Sequence, residues 1–267
     1  MESKRIEKKM RKIESKREKD RVFKKDSSFL KVEENVFDIP TLHLLYNFAK
    51  KGYIKELGGS VSTGKEANIF HAAGNDDNEY AVKIYRISAS TFKLMDPYII
   101  KDRRFESIGN DRKKMIFAWA RKEFQNLKRI NRIGIPSPEP IAVDRNILIM
   151  SFLGKDGVRY PQLRDYDMTR EEVNNTFETI LQYMNLMYNE ADLIHSDLSE
   201  YNILMNPDKG IPYIIDVGQA VTTDHPNAYE FLYRDAQNMI RFFSKYDIEL
   251  SPKDIIERTV GKKEDNT

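Results

Sequence analysis

The sequence predicts an α+β chain in two lobes, strand-rich at the N-terminal side and reduced and helical at the C-terminal side. Strand-length apolar runs concentrate between residues 66 and 152, helix-length amphipathic segments dominate after Gly154, and one long helical stripe, 113–132, interrupts the strands. With 267 residues and 40% hydrophobic content, the chain can bury one sizeable core or two small lobes. The predicted boundaries are a leader over 1–35, an N-terminal lobe over 36–153 that contains an insertion at 86–112, and a C-terminal lobe over 154–267.

The first predicted element follows Pro40: residues 41–50 place Leu44, Leu45 and Phe48 on one helical face, and Gly52 closes the helix. Residues 66–72 and 80–85 read as a hairpin joined by Gly74-Asn75-Asp76-Asp77-Asn78, a run of turn-forming residues. In 113–132 the stripe Ile116, Trp119, Ala120, Leu127 and Ile130 repeats at helical spacing, and Gly134 with prolines at 136, 138 and 140 ends it. Strand character resumes at 141–143 and 147–152 around the turn Asp144-Arg145-Asn146. Beyond Gly154 the helices are 173–191 and 227–246, and the short strands 203–205 and 213–215 lie between them.

Charge and composition narrow the setting. There is no cysteine, which excludes a disulfide framework and a thiolate metal site and suits a reducing compartment. No signal-peptide core and no apolar run of ~18 residues appears, so the expectation is a soluble, cytoplasmic protein without a membrane partner. The net charge of +2 conceals a basic leader: residues 1–25 hold twelve Lys or Arg against five Asp or Glu, a net +7, leaving −5 for the rest. Ile6, Met10 and Ile13 are too few to bury a helix face there, so the leader reads either as a solvated helix or as an arm that tracks RNA phosphates.

The chemistry concentrates in Ile194-His195-Ser196-Asp197-Leu198-Ser199-Glu200-Tyr201-Asn202 and in Asp216-Val217-Gly218, fourteen positions further on. An Asp and an Asn five apart on a loop, with a second Asp on a short apolar strand, suit transfer of a phosphoryl group from ATP. Asp197 can act as general base or orient a nucleophile, while Asn202 and Asp216 offer the hard oxygen ligands that Mg²⁺ shares with phosphate. His195 is expected to orient the loop by hydrogen bonding. Lys83 sits in the apolar strand Ala81-Val82-Lys83-Ile84, where an unpaired ammonium is costly, so it requires a carboxylate; Glu123 is the best placed and Glu106 the alternative. Upstream, Gly58-Gly59-Ser60-Val61-Ser62-Thr63-Gly64-Lys65-Glu66 reads as a loop ahead of the first clear strand. Its small residues, the hydroxyls of Ser62 and Thr63 and the charge of Lys65 could cradle phosphate, although the stretch matches neither the Gly-x-Gly-x-x-Gly nor the Walker pattern.

Together, Ser62-Thr63-Gly64-Lys65-Glu66-Ala67-Asn68, the loop 194–202 and Ile215-Asp216-Val217-Gly218-Gln219-Ala220 resemble the RIO family of atypical serine/threonine protein kinases, in its type 1 branch, over residues 37–245. A type 2 member would carry a winged-helix domain upstream, for which the chain is short, and the lack of long acidic tails suggests an archaeal member. The resemblance implies a bilobal protein-kinase-like fold in which Lys83, paired with Glu123, binds ATP phosphates, Asp197 is catalytic, and Asn202 and Asp216 hold Mg²⁺, with Mn²⁺ as an alternative. It also implies a hinge at 150–153, with Met150 lining the adenine pocket and the backbone of Ser151 and Leu153 bonding adenine. The insertion 86–112 would be the family's flexible loop, with Ser88, Ser90 and Ser107 as candidate phosphorylation sites.

By the same resemblance the activity is Ser/Thr kinase with autophosphorylation, or an ATPase switch in which Asp216 accepts the γ-phosphate. The setting is small ribosomal subunit maturation, with the pre-small subunit and its RNA as partners and no role for DNA. Ser196 stands where protein kinases carry Arg, no Ala-Pro-Glu motif follows Asp216, and the 51 residues after Asp216 are few for an activation segment and a peptide platform. Reduced peptide docking is therefore expected. A small-molecule kinase of the aminoglycoside or choline kinase kind shares the His-x-Asp loop but needs a longer C-terminal lobe. A non-catalytic module with a relic pocket is opposed by the intact Lys83, Asp197, Asn202 and Asp216.

Overall fold

The computed structural model describes residues 37–76, 78–87, 98, 102, 104 and 111–261. The leader read over 1–35, the candidate serines 88, 90 and 107, and Glu106 lie outside the described residues. All the described elements belong to the compact unit Ile39–Thr267.

A five-stranded antiparallel sheet in the order β1-β2-β3-β5-β4 forms the first half: β1 Glu56–Thr63, β2 Ala67–Ala73, β3 Glu79–Tyr85, β4 Pro140–Asp144 and β5 Ile147–Ser151. Helix α1 (Ile39–Lys50) starts with Pro40 in its first turn, where its missing N–H costs nothing, and meets the sheet where Asn146 Nδ2 donates to Thr41 Oγ1 at 3.1 Å and to the Tyr85 carbonyl at 3.2 Å. The register pairs Ile69 with Lys83 and Lys83 with Leu148, so the lysine lies on the central strand between apolar neighbours. Across one face runs α2 (Arg112–Arg132), capped by Asp111, whose carboxylate accepts from Lys113 N at 2.9 Å and Lys114 N at 3.2 Å. Gly134, at φ 79°, lets the chain leave α2 toward Pro136.

The second half is helical. α3 (Arg170–Asn189) opens on a capping box between Thr169 and Glu172, α4 (Ala228–Phe243) runs into a 3₁₀ turn at Ser244–Tyr246, and α5 (Pro252–Val260) packs on both. Two short hairpins complete it: β6 (Gly154–Lys155) with β7 (Val158–Arg159), and β8 (Ile203–Asn206) with β9 (Ile211–Ile214). A continuous apolar core joins Trp119, Ile130 and Leu148 to Phe177, Ile180, Met239 and Phe243.

The structure corrects one reading. The glycine-rich stretch 58–66 is not a loop before the first strand, because residues 56–63 form β1 and pair with β2 through two register irregularities, leaving only 64–66 as the turn. Glycine weakens the strand signal without forbidding the ladder hydrogen bonds, and the irregularities absorb the misfit. The β6–β7 hairpin and α5 were not read at all.

Because the Asp111 carboxylate satisfies two end-of-helix N–H groups, Asp111→Ala should lower stability by about 1 kcal/mol in urea denaturation without changing the slope of the transition.

Candidate active site

Lys83 is buried and projects from β3 between two carboxylates that come from different elements. Its Nζ lies 2.8 and 2.7 Å from Glu123 Oε1 and Oε2 on α2, and 2.8 Å from Asp216 Oδ1. Burial favours the neutral amine, but the charges of Asp216 and Glu123 outweigh it and hold Lys83 above its ordinary pKa. Asp216 is half-exposed; partial desolvation of its carboxyl opposes ionisation, and the Lys83 ammonium overcomes this and keeps that carboxyl below its usual range. Tyr85, two residues along the same face of β3, donates its hydroxyl to Glu123 Oε2 and locks the glutamate from the other side.

The loop between α3 and β8 brings Asp197 and Asn202 together. Asn202 Nδ2 donates to the Asp197 carbonyl at 2.8 Å and to Asp197 Oδ2 at 3.1 Å, which commits the amide N–H groups and leaves the amide oxygen of Asn202 as its ligand atom. His195 Nε2 lies 3.0 Å from the Ile215 carbonyl and ties this loop to the residue before Asp216. Burial raises the carboxyl of Asp197, against the pull of His195, as suits a group that accepts a proton. Ser196 (φ 69°) and Asp216 (φ 58°) both occupy the left-handed region, uncommon for residues with a Cβ and concentrated where a fold holds functional groups in place.

An amide oxygen and a half-exposed carboxylate are a donor set for a hard cation that completes its shell with water and phosphate oxygens. Among the described residues no group of three or more His, Asp or Glu is placed to hold a metal ion.

The remaining predicted positions are more scattered. Thr63 and Lys65 are exposed and Ser62 partly so at the tip of the β1–β2 turn. Glu66, beside them, is half-buried; burial and then the charge of Asp216 push its carboxyl up to about 7. Met150 is buried on β5. The Ser151 N–H goes to the Glu139 carbonyl at 2.8 Å and the Leu153 carbonyl accepts from Tyr160 N at 2.9 Å.

Sequence reasoning missed Asp235. Buried on α4, it accepts from Ser196 N and Leu198 N, both at 2.8 Å, and thereby suspends the loop on either side of Asp197; burial pushes its carboxyl up to about 8. Its signal was an acid among Leu232, Ala236 and Met239 on the apolar face of a helix, where an unpartnered carboxylate is not tolerated. Also missed were Lys122 and Asn126 on α2, which donate to the carbonyls of Gly218 (2.9 Å) and Val217 (2.8 Å). Burial drives Lys122 well below its ordinary pKa.

Comparison with known proteins finds relatives over most of the chain. The RIO domain matches residues 68–255. The chain is 44% identical to the RIO-type serine/threonine-protein kinase Rio1 of Haloferax volcanii, over 89% of this chain and 80% of that protein. It is 42% identical to the serine/threonine-protein kinase rio1 of Schizosaccharomyces pombe and 40% identical to human serine/threonine-protein kinase RIO1, over 83% and 84% of this chain but only 45% and 39% of those longer proteins. The solved Rio2 kinase–ADP/Mg²⁺–phosphoaspartate complex from Chaetomium thermophilum superimposes with a TM-score of 0.61 at 27% identity, over 83% of this chain and 66% of that one.

Two outcomes follow from the site. Above about pH 8, where the Asp235 carboxylate is ionised and accepts both backbone N–H groups, Asp235→Asn can accept only one of them, so it should cost about 1–3 kcal/mol in urea denaturation. For Glu66, the unfolded chain releases its proton near 4.5 and the folded chain holds it to about 7, so the wild type loses stability as pH rises through that window. The Tm advantage of Glu66→Gln should therefore grow from pH 4.5 to 7 and then level; a constant difference would contradict the placement of Glu66.

Proposed function

We propose that this chain, which belongs to the RIO family of serine/threonine-protein kinases and within it to the type 1 branch, transfers the γ-phosphoryl group of Mg-ATP to Ser or Thr hydroxyls, its own included. The observation that carries the reading is Lys83, held between Glu123 and Asp216 while Asp197 and Asn202 form the adjoining loop. In this reading ATP enters over β1 and β2 with its adenine against Met150 and the backbone of Ser151 and Leu153. Lys83 keeps its Glu123 contact and turns toward the phosphates, and Ser62, Thr63 and Lys65 close on them from the β1–β2 turn. Asn202 and Asp216 would hold Mg²⁺, or Mn²⁺ with the same oxygen donors, and the ion would offset charge on the β- and γ-phosphate oxygens.

Asp197 accepts the proton of the attacking hydroxyl as its oxygen bonds the γ-phosphorus, and cleavage of the bond to the bridging oxygen releases ADP. The raised carboxyl of Asp197 suits proton acceptance, and the hydrogen bond from Asn202 fixes which oxygen faces the hydroxyl.

A second use of the same site is supported by Asp216 itself, ionised beside Lys83 and half-exposed, and by the Rio2 kinase solved as an ADP/Mg²⁺–phosphoaspartate complex. Here a carboxylate oxygen of Asp216 attacks the γ-phosphorus, ADP leaves, and water then cleaves the aspartyl-phosphate to restore the carboxylate and release phosphate. This ATPase cycle would serve as a switch in small ribosomal subunit maturation in the cytoplasm, with the pre-small subunit and its RNA as partners; the net +7 over residues 1–25 suits contact with phosphate backbones. No helix of the described residues is long and apolar enough to cross a membrane.

The test is the fate of γ-labelled phosphate with and without small ribosomal subunits. Acid-stable label on Ser or Thr, lost in Asp197→Asn by a factor of about 10² or more, is expected for the kinase reaction. Hydroxylamine-labile label together with free phosphate, abolished in Asp216→Asn, is expected for the switch. Label in neither form would refute the reading.

A further inference from the structure

The reading above leaves Lys122 without a task, and its position is costly. The side chain is fully buried, its Nζ donates to the Gly218 carbonyl at 2.9 Å and lies 5.2 Å from the centre of the Trp119 ring, and among the described residues it makes no ion pair. Methionine or leucine would fill the same volume without burying an amine, so packing alone does not account for a lysine.

The group it holds lies two residues after the candidate metal ligand. Asp216 stands at φ 58°, and the next residues are fastened to α2 one by one: Val217 O and Ala220 O accept from Asn126 Nδ2 at 2.8 and 3.2 Å, and Gly218 O accepts from Lys122. Gly218 sits so close to α2 that a Cβ would lie 2.9 Å from Trp119 Nε1 and 3.3 Å from Glu123 Oε2. Arg104, paired with the buried Asp102, donates to Asn126 Oδ1 at 2.8 Å and fixes the amide's orientation. One face of α2 (Trp119, Lys122, Glu123 and Asn126) thus holds both the partner of Lys83 and the backbone that sets where the Asp216 carboxylate stands.

We propose that Lys122 is a positioning residue for the metal site: by holding the Gly218 carbonyl against α2 it keeps Asp216 poised to take the cation shared with the nucleotide. The inference rests on the reading that Asp216 binds Mg²⁺. Lys122 touches neither metal nor nucleotide, so its loss should weaken metal binding and leave metal-free nucleotide binding unchanged.

Trp119 is the only tryptophan of the chain and abuts Gly218, so its fluorescence reports on this segment without any turnover. The experiment titrates Mg²⁺ into the ADP-saturated full-length protein and follows Trp119 emission, with calorimetry of ADP binding in EDTA as the second readout. In the wild type a saturable change is expected. In Lys122→Met the Mg²⁺ midpoint should rise by on the order of tenfold with metal-free ADP affinity unchanged, and Lys122→Gln, which keeps a donor, should recover most of the loss. Gly218→Ala puts a Cβ against Trp119, pushes the segment off α2 and should reproduce the shift in Mg²⁺ midpoint, so it decides the matter if Lys122→Met does not fold. A wild-type midpoint in Lys122→Met or in Gly218→Ala, or an equal loss of metal-free ADP affinity, overturns the positioning role alone. Absence of any Mg²⁺ response in the wild type overturns both the role and the metal reading.

Discussion

An ammonium taken into the interior on the central strand must be matched, and Lys83 is matched twice, by Glu123 and by Asp216. Removing one member of such a buried pair typically costs about 3–5 kcal/mol, because the remaining charge is stranded. Three parts of the chain that are distant in sequence are therefore tied together at one nitrogen: the sheet through Lys83, α2 through Glu123, and the segment after β9 through Asp216. On the proposed reading the lysine exchanges one carboxylate contact for phosphate oxygens while keeping the other, so the arrangement that satisfies the fold would also serve a nucleotide.

A second set of constraints acts behind this centre. Asp235 suspends the Asp197 loop from α4 through two backbone N–H groups, His195 links that loop to Ile215, and Lys122 and Asn126 hold the residues after Asp216 against α2. Positive φ at Ser196 and Asp216 is sustained because hydrogen bonds on both sides leave the backbone no relaxed alternative. Asp197 and Asp216 stand on loops, but each loop is fastened to a helix, which gives the precision that loops alone lack.

Much of this was legible in the sequence where one physical signal dominated. The β2–β3 hairpin, α2 and α3 declare themselves by period, and a lysine among Ala81, Val82 and Ile84 points to a carboxylate partner because an unpaired ammonium is costly to bury. β1 was obscured by Gly58 and Gly59, whose missing side chains erase the alternation although the ladder still forms. α5 has only nine residues, too few for periodicity to stand out, although Ser251-Pro252-Lys253-Asp254 spells its capping box. Lys122 was hidden for a different reason. A single charge on a helix reads as solvent-facing unless the elements covering both sides of that helix are known, and that is tertiary information.

The account stands or falls on what Lys83, Asn202 and Asp216 do when nucleotide is present. The most direct measurement is a crystal structure of the protein with Mg²⁺ and a non-hydrolysable ATP analogue. The account predicts the ion bound by Asn202 Oδ1 and an Asp216 carboxylate oxygen, with Lys83 on the phosphates and still paired with Glu123. A nucleotide bound away from Lys83, or an ion that leaves Asp216 free while Lys83 stays locked between its two carboxylates, would contradict it.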